Sequence, residues 1–175
     1  MSKTRRLFFA LWPDEDIRYQ LDVIGRRYRP EKSRAIPVVN LHATLIFLGP
    51  QVEELLPDIQ SAASSITGHP FVLVSQQIQV WRGPRVMCLC PDRVPNELMT
   101  LHHQLQQALN DVGVETEDRQ YRPHVTLARK VNHPVEPDRL PVPHSWSVDG
   151  FSLIESVSSA KGVRYRELSR WSFNG

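Results

Sequence analysis

Apolar residues recur along the chain in two rhythms, alternate positions and every third or fourth position, and these predict an alternation of strands and helices. Arg5–Trp12 opens as a short apolar strand. Pro13-Asp14-Glu15-Asp16 follows as a helix start, with carboxylates at the positive end of the helix dipole. Ile17, Leu21 and Ile24 then carry a helical stripe to about Arg29. Asn40–Leu48 reads as a buried strand closed by Gly49-Pro50. Glu53–Thr67 reads as a second helix, with Leu55, Leu56, Ile59, Ala62, Ala63 and Ile66 inward and Gly68 as its cap. Two strands, Phe71–Trp81 and Arg85–Cys90, join through Arg82-Gly83-Pro84.

A third helix, Asn96–Val112, carries Leu98, Leu101, Leu105, Ala108 and Leu109 on one side. Asn96 is its expected N-cap and Gly113 its end. After a polar loop, Glu115–Pro123, comes a strand over His124–Val131. Pro134 to Pro143 is expected to cross the surface without regular structure. Two last strands, Trp146–Ser156 and Val163–Phe173, form a hairpin turned at Ser158–Gly162. Successive strands at the end point to α+β with antiparallel pairing and away from a doubly wound parallel sheet.

Composition changes this picture little. The chain has 175 residues, 41% of them hydrophobic and 23% charged, which excludes disorder and suits one domain or two small lobes sharing a core. No apolar run approaches the ~20 residues that cross a bilayer, so the reading is a cytoplasmic protein without a membrane partner. Net charge is +2, too small to argue for nucleic acid by itself. The kind of cation is more telling. Of 21 basic residues only Lys3, Lys32, Lys130 and Lys161 are lysines, and the arginine fork suits phosphate. Cys88 and Cys90 share one face of a strand and read as small buried hydrophobes. No glycine-rich dinucleotide or P-loop signature is present.

One internal echo carries chemistry. His42-Ala43-Thr44-Leu45 recurs as His124-Val125-Thr126-Leu127, 82 residues later, each at the start of an expected strand. On a strand the His and Thr of each copy share a face, with the two apolar residues turned to the other. A two-fold relation between halves of the chain would set the strands side by side and gather two imidazoles and two hydroxyls around one groove. Imidazole titrates near neutrality, so one ring can accept a proton while the other donates one. Phosphodiester cleavage is the obvious use, with Thr44 and Thr126 donating to the non-bridging oxygens. Arg129 falls on the far face of an ideal strand, and a bulge is needed to turn it toward the phosphate. No metal is required. His69, His102, His103, His133 and His144 read as surface or structural residues in helix faces or loops.

With these motifs the chain resembles the 2H phosphoesterase superfamily, and within it the RNA 2′,3′-cyclic phosphodiesterases, also called 2′-5′ RNA ligases. The opening Arg6-Leu7-Phe8-Phe9-Ala10-Leu11, the block from His42 to Gly49, the Arg85-Val86 strand and the block from Arg122 to Arg129 fall in family order. The resemblance implies one bilobal α+β domain over residues 1–175, with two antiparallel sheets flanking a cleft, helices outside and a pseudo-two-fold duplication. It implies that His42 gives a proton to the leaving ribose oxygen, that His124 activates water, and that Thr44, Thr126 and Arg129 hold the phosphate. The implied reaction turns RNA 2′,3′-cyclic phosphate ends, of tRNA halves for example, or cyclic nucleotides into 2′-phosphomonoesters. The resemblance also implies formation of a 2′-5′ phosphodiester from a cyclic phosphate and a 5′-hydroxyl, a reversible ligation that shares the same bond-making step, and the place of both is RNA processing. No cofactor and no metal are expected, and the chain is read as a monomer. Two readings stand beside this one. One is a non-catalytic module for RNA ends or phosphorylated ligands. The other is a 2H phosphodiesterase for 2′-5′ oligonucleotides or another small diester.

Overall fold

A computed structural model describes residues 3–132, 136–160 and 162–173. His133, Pro134 and Lys161 lie outside the described residues. In chain order the elements are β1 (Thr4–Leu11), α1 (Glu15–Tyr28), β2 (Arg34–Ala35), β3 (Ala43–Val52), α2 (Leu56–Ser64), β4 (Phe71–Trp81), β5 (Val86–Pro91), α3 (Asn96–Asp111), β6 (Val125–Arg129), β7 (Asp138–Val148), β8 (Gly150–Ser159) and β9 (Gly162–Ser172). Short 3₁₀ turns precede β3 and α2.

Asp14 caps α1 by accepting the Ile17 N–H at 2.8 Å, and Leu21 and Gly25 form its most buried contacts. The other two helices start and stop where the sequence signals do not point. α2 closes at Ser65, not Gly68. Gly68 instead lies against the Phe173 ring, where a Cβ would collide with it. α3 takes Pro95 as its N-cap residue, so Asn96 sits one position inside the helix. No helix among the described residues is long and apolar enough to cross a membrane.

Among the described residues nine strands pair antiparallel, in the order β7–β4–β5–β6–β3–β1–β8–β9, with β2 added on β6. The order divides into two arms of four, β7–β4–β5–β6 and β3–β1–β8–β9. They join at one residue pair, Ala43 opposite Val125. The two sheets expected from the sequence are therefore the arms of a continuous sheet. Each arm repeats a path: β1–α1–β3 in one, β5–α3–β6 in the other. The main core lies between the sheet and the helices. It takes Leu21 from α1, Ile59 from α2, and Leu98, Leu101, Leu105 and Leu109 from α3 against Phe9, Leu45, Met87 and Leu127.

Two strand boundaries differ from the sequence reading for a backbone reason. β3 does not stop at Gly49-Pro50 but runs on to Val52. Gly49 adopts φ 70° and the register with β1 slips by one there, a bulge that glycine admits without side-chain strain. Pro141 and Pro143 lie inside β7, where irregular structure was expected. β7 is an edge strand, and its ladder with β4 skips from His144 to Arg139 across this segment. The prolines thus sit where no N–H is needed. The same strand carries Trp146, so the expected Trp146–Ser156 strand is broken at Asp149 into the end of β7 and the start of β8.

At that corner the Phe173 N–H donates to the Asp149 carbonyl at 2.7 Å, and Gly150 pairs with Ser172. A Cβ on Gly150 would run into the Trp171 carbonyl oxygen, which is backbone and cannot swing aside. Gly150→Ala is expected to destabilise by about 3 kcal/mol. A thermal melt would show this as a loss of roughly 6–12 °C in Tm; an unchanged Tm would mean that the β8–β9 pairing yields cheaply.

Candidate active site

The seam between the arms brings the two tetrapeptides together. β3 and β6 are neighbours at Ala43 and Val125, the residues after His42 and His124. Both strands then bulge at the fourth residue of the tetrapeptide. The β1 register steps from Thr44 to Ile46, skipping Leu45, and the β5 register steps from Thr126 to Ala128, skipping Leu127. In each strand two consecutive residues, Leu45-Ile46 and Leu127-Ala128, therefore turn into the core. The residue after them returns to the opposite face: Phe47 in one arm, Arg129 in the other, both exposed. This is the bulge that Arg129 requires to share a face with Thr126.

His42, Thr44, His124, Thr126 and Arg129 all line one cleft of about 990 Å³. The two imidazoles are set alike. His42 Nδ1 lies 2.7 Å from the Asn40 carbonyl oxygen, and His124 Nδ1 lies 2.7 Å from the Arg122 carbonyl oxygen. A carbonyl only accepts, so each ring carries its proton on Nδ1 and leaves Nε2 with a free lone pair. His42 Nε2 is 2.9 Å from Thr44 Oγ1, and in the neutral ring the hydroxyl donates to it. Thr126 Oγ1 makes a long contact of 3.9 Å with Cys88 Sγ.

The surroundings of the rings differ. His42 stands in an aromatic box of Phe8 and Trp12, at centroid distances of 5.0 and 5.8 Å, with Tyr165 edge-on at 5.3 Å. Burial in this box pushes its pKa down to about 4. The Asn40 carbonyl pulls the other way, and the charges of His124, Arg129 and Arg18 add to the lowering. His124 packs on Trp81 at 4.4 Å, and the Arg122 guanidinium covers the same indole at 4.6 Å. Its pKa is also lowered, chiefly by burial, with the Arg122 carbonyl opposing and the charges of Arg122 and Arg119 contributing. Both rings are therefore neutral at pH 7 in the free protein.

Several cleft residues carry no signal in the sequence pattern. Trp81 ends β4 opposite Val86, and only the β4–β5 pairing brings it to His124. His102, expected to be a surface or structural residue, instead lines the cleft and stacks on Tyr121 at 4.2 Å. Tyr121 O–H donates to the Thr44 carbonyl at 3.1 Å, tying the loop before one tetrapeptide to the backbone of the other. His144, expected in a helix face or loop, is buried in β7. Cys88 and Cys90 are free and buried beside Trp81, and burial raises both thiols, to about 12 and about 11. Among the described residues no three His, Cys, Asp or Glu side chains converge as metal ligands do.

The family described as the 2′-5′ RNA ligase superfamily matches residues 13–159, a span that holds both tetrapeptides. The chain belongs to the 2′-5′ RNA ligase superfamily. Among members of the superfamily, an RNA 2′,3′-cyclic phosphodiesterase of Escherichia coli is 31% identical over 175 residues, covering 98% of each chain. One of Thermus thermophilus is 29% identical over 97% of this chain and 91% of its own. The crystal structure of E. coli LigT in complex with 3′-AMP superposes with a TM-score of 0.91 at 29% identity, over 99% of this chain and 100% of that one. The α+β architecture expected from the sequence is that of this superfamily member.

Proposed function

We propose that the protein hydrolyses RNA 2′,3′-cyclic phosphate ends to 2′-phosphomonoesters by acid–base catalysis between two histidines, without a metal. The observation that carries this is the matched setting of His42 and His124, each pinned through Nδ1 to a carbonyl two residues back, with Nε2 in a common cleft. The relatives' activity and the LigT complex with 3′-AMP support the choice of substrate.

In the proposed reaction a water oxygen attacks phosphorus as His124 Nε2 takes its proton. The P–O3′ bond breaks, and His42 Nε2–H gives its proton to O3′. A 2′-phosphate and a 3′-hydroxyl result, and the two rings end with one proton between them, as they began. Thr44, Thr126 and Arg129 donate to the non-bridging oxygens, where negative charge builds. A 5′-hydroxyl in place of water gives 2′-5′ ligation by the same steps. Both arms supply a histidine, so residues 1–175 act as one catalytic domain in this reading.

The experiment is hydrolysis of a 2′,3′-cyclic nucleotide with and without EDTA, the product being identified as the 2′- or 3′-phosphate. A 2′-phosphate formed at an EDTA-independent rate is expected. A 3′-phosphate would mean that the wrong P–O bond has been assigned, and saturable binding without product would leave a binding module.

The shifted histidines fix the pH dependence. His124 must be neutral to act, so kcat/KM falls as pH drops through its lowered pKa. His42 must be protonated, so kcat/KM falls as pH rises past about 4. The product of the two fractions is largest between these values, and the optimum of kcat/KM lies below 6.5, the ordinary imidazole value. A bound phosphodiester is an anion beside His42 and raises its pKa, so the kcat profile extends further toward neutrality than that of kcat/KM. Superimposable profiles centred above pH 7 would contradict this assignment.

A further inference from the structure

Arg34 of β2 and Arg129 of β6 are direct partners across the antiparallel pairing. Cross-strand partners project from the same face, and like charges placed opposite each other weaken a sheet. Lys130 follows with a left-handed backbone, φ 58°, at a point where the Val131 N–H donates to the Arg85 carbonyl at 3.0 Å. All three side chains are exposed and line the cleft.

The remaining cleft cations are engaged. Arg6 lies 4.8 Å over the Phe47 ring, Arg122 lies over Trp81, and Arg119 pairs with Glu117 at 2.5 Å. Among the described residues no carboxylate pairs with Arg34, Arg129 or Lys130. Three mutually repelling cations at adjoining strand ends are thus left without a counter-charge inside a cleft, an arrangement that an anion stabilises.

Their place along the strand says which anion. β6 starts beside His124 and ends at Arg129, three residues past Thr126 and roughly 10 Å further on. Arg129 lines the same cleft as both histidines. Lys130 follows Arg129 past the end of β6, and Arg34 flanks Arg129 across the pairing, with its guanidinium 4.0 Å from where a Cβ on Gly162 would lie. The cleft volume of about 990 Å³ stands at the upper end of what small-ligand sites enclose.

We propose that Arg34 and Lys130 form a second anion subsite, which holds the internucleotide phosphate preceding the reacting end of an RNA chain. This rests on the cyclic-phosphodiesterase reading above. The Arg34 fork takes that phosphate through two N–H donors, and Lys130 adds a point charge. A cyclic mononucleotide lacks this phosphate and leaves the subsite empty.

The test compares 2′,3′-cyclic CMP with a trinucleotide ending in a 2′,3′-cyclic phosphate, for the wild type, Arg34→Gln and Lys130→Gln. Arg34→Gln is expected to lower kcat/KM on the trinucleotide about ten-fold and to change it on cyclic CMP by less than about two-fold. Lys130→Gln should act in the same direction and reduce the salt dependence on the trinucleotide by about one charge. A trinucleotide with a neutral methylphosphonate next to the reacting end should cost the wild type the same factor and cost Arg34→Gln nothing further. Moving the methylphosphonate one position away should restore the rate. Equal losses on both substrates, no loss on either, or a loss indifferent to the methylphosphonate position would overturn the subsite. Binding of a fluorescein-labelled trinucleotide 3′-phosphate needs no turnover and reads the same ten-fold difference. If the wild type hydrolyses neither substrate, the phosphodiesterase reading fails, while this binding measurement still decides for or against the subsite.

Discussion

Replacing His124 by alanine is expected to lower kcat on a 2′,3′-cyclic nucleotide by about 10²–10⁴-fold, and His42→Ala by a similar factor. Each ring is assigned the one proton transfer that the other cannot make, so neither loss is covered by the remaining histidine. The double variant should fall little below the worse single variant, because groups that act as a unit are not additive. Stability separates this outcome from a structural role. His42 packs against Phe8, Trp12 and Tyr165, so His42→Ala should also cost stability. His42→Gln keeps much of the volume and offers no imidazole. It is expected to retain a near-native Tm and still lose turnover. Steady-state kinetics beside a thermal melt for the four variants would check this, and any of them turning over near the wild-type rate would sink the two-histidine mechanism.

The second large effect concerns the hydroxyls. Thr126→Val keeps the shape of the side chain and removes its only donor. Among the described residues the hydroxyl has no partner closer than the Cys88 thiol at 3.9 Å, so it is free to meet a phosphate oxygen. Its removal is expected to cost about 10²–10³-fold in kcat, the range seen when one preorganised donor to a developing oxyanion is lost. Thr44→Val is expected to do more than that. Thr44 Oγ1 already lies against His42 Nε2, so its loss also changes how the proposed acid is held. The alkaline limb of the kcat profile should therefore move in Thr44→Val and stay in place in Thr126→Val. Equal kcat and unshifted profiles in both variants would remove the threonines from the reaction.

The convergence of the candidate residues on one cleft was legible in the sequence and the fold less evenly so, and the reason is local against non-local information. The tetrapeptides are contiguous, so their His/Thr face could be read from strand periodicity alone, and the need for a bulge before Arg129 followed from parity. That both strands bulge at Leu45 and Leu127 required the neighbouring strands β1 and β5. Helix α1 announced itself through Asp14 and its apolar spacing. Proline misled at Pro141 and Pro143, because its missing N–H matters only where a ladder needs one, and an edge strand was not visible in sequence. Glycine misled at Gly68 and at Gly49, where the demand came from Phe173 and from the β1 register. Trp81, Tyr165 and Arg34 reach the cleft only through pairing between distant segments, so no motif marks them.

The carbonyl tethers on the two Nδ1 atoms have a consequence for the cycle as a whole. Neither ring can flip to carry a proton across, so each exchanges only at Nε2. In the proposed cycle, once a bond has been cut the proton sits on His124 and is gone from His42, which is the loading needed to run the step backwards. Before the next forward event both rings must be reset by solvent. Reclosure of the cyclic phosphate, not joining of ends, is thus favoured during the interval in which product departs more slowly than that exchange.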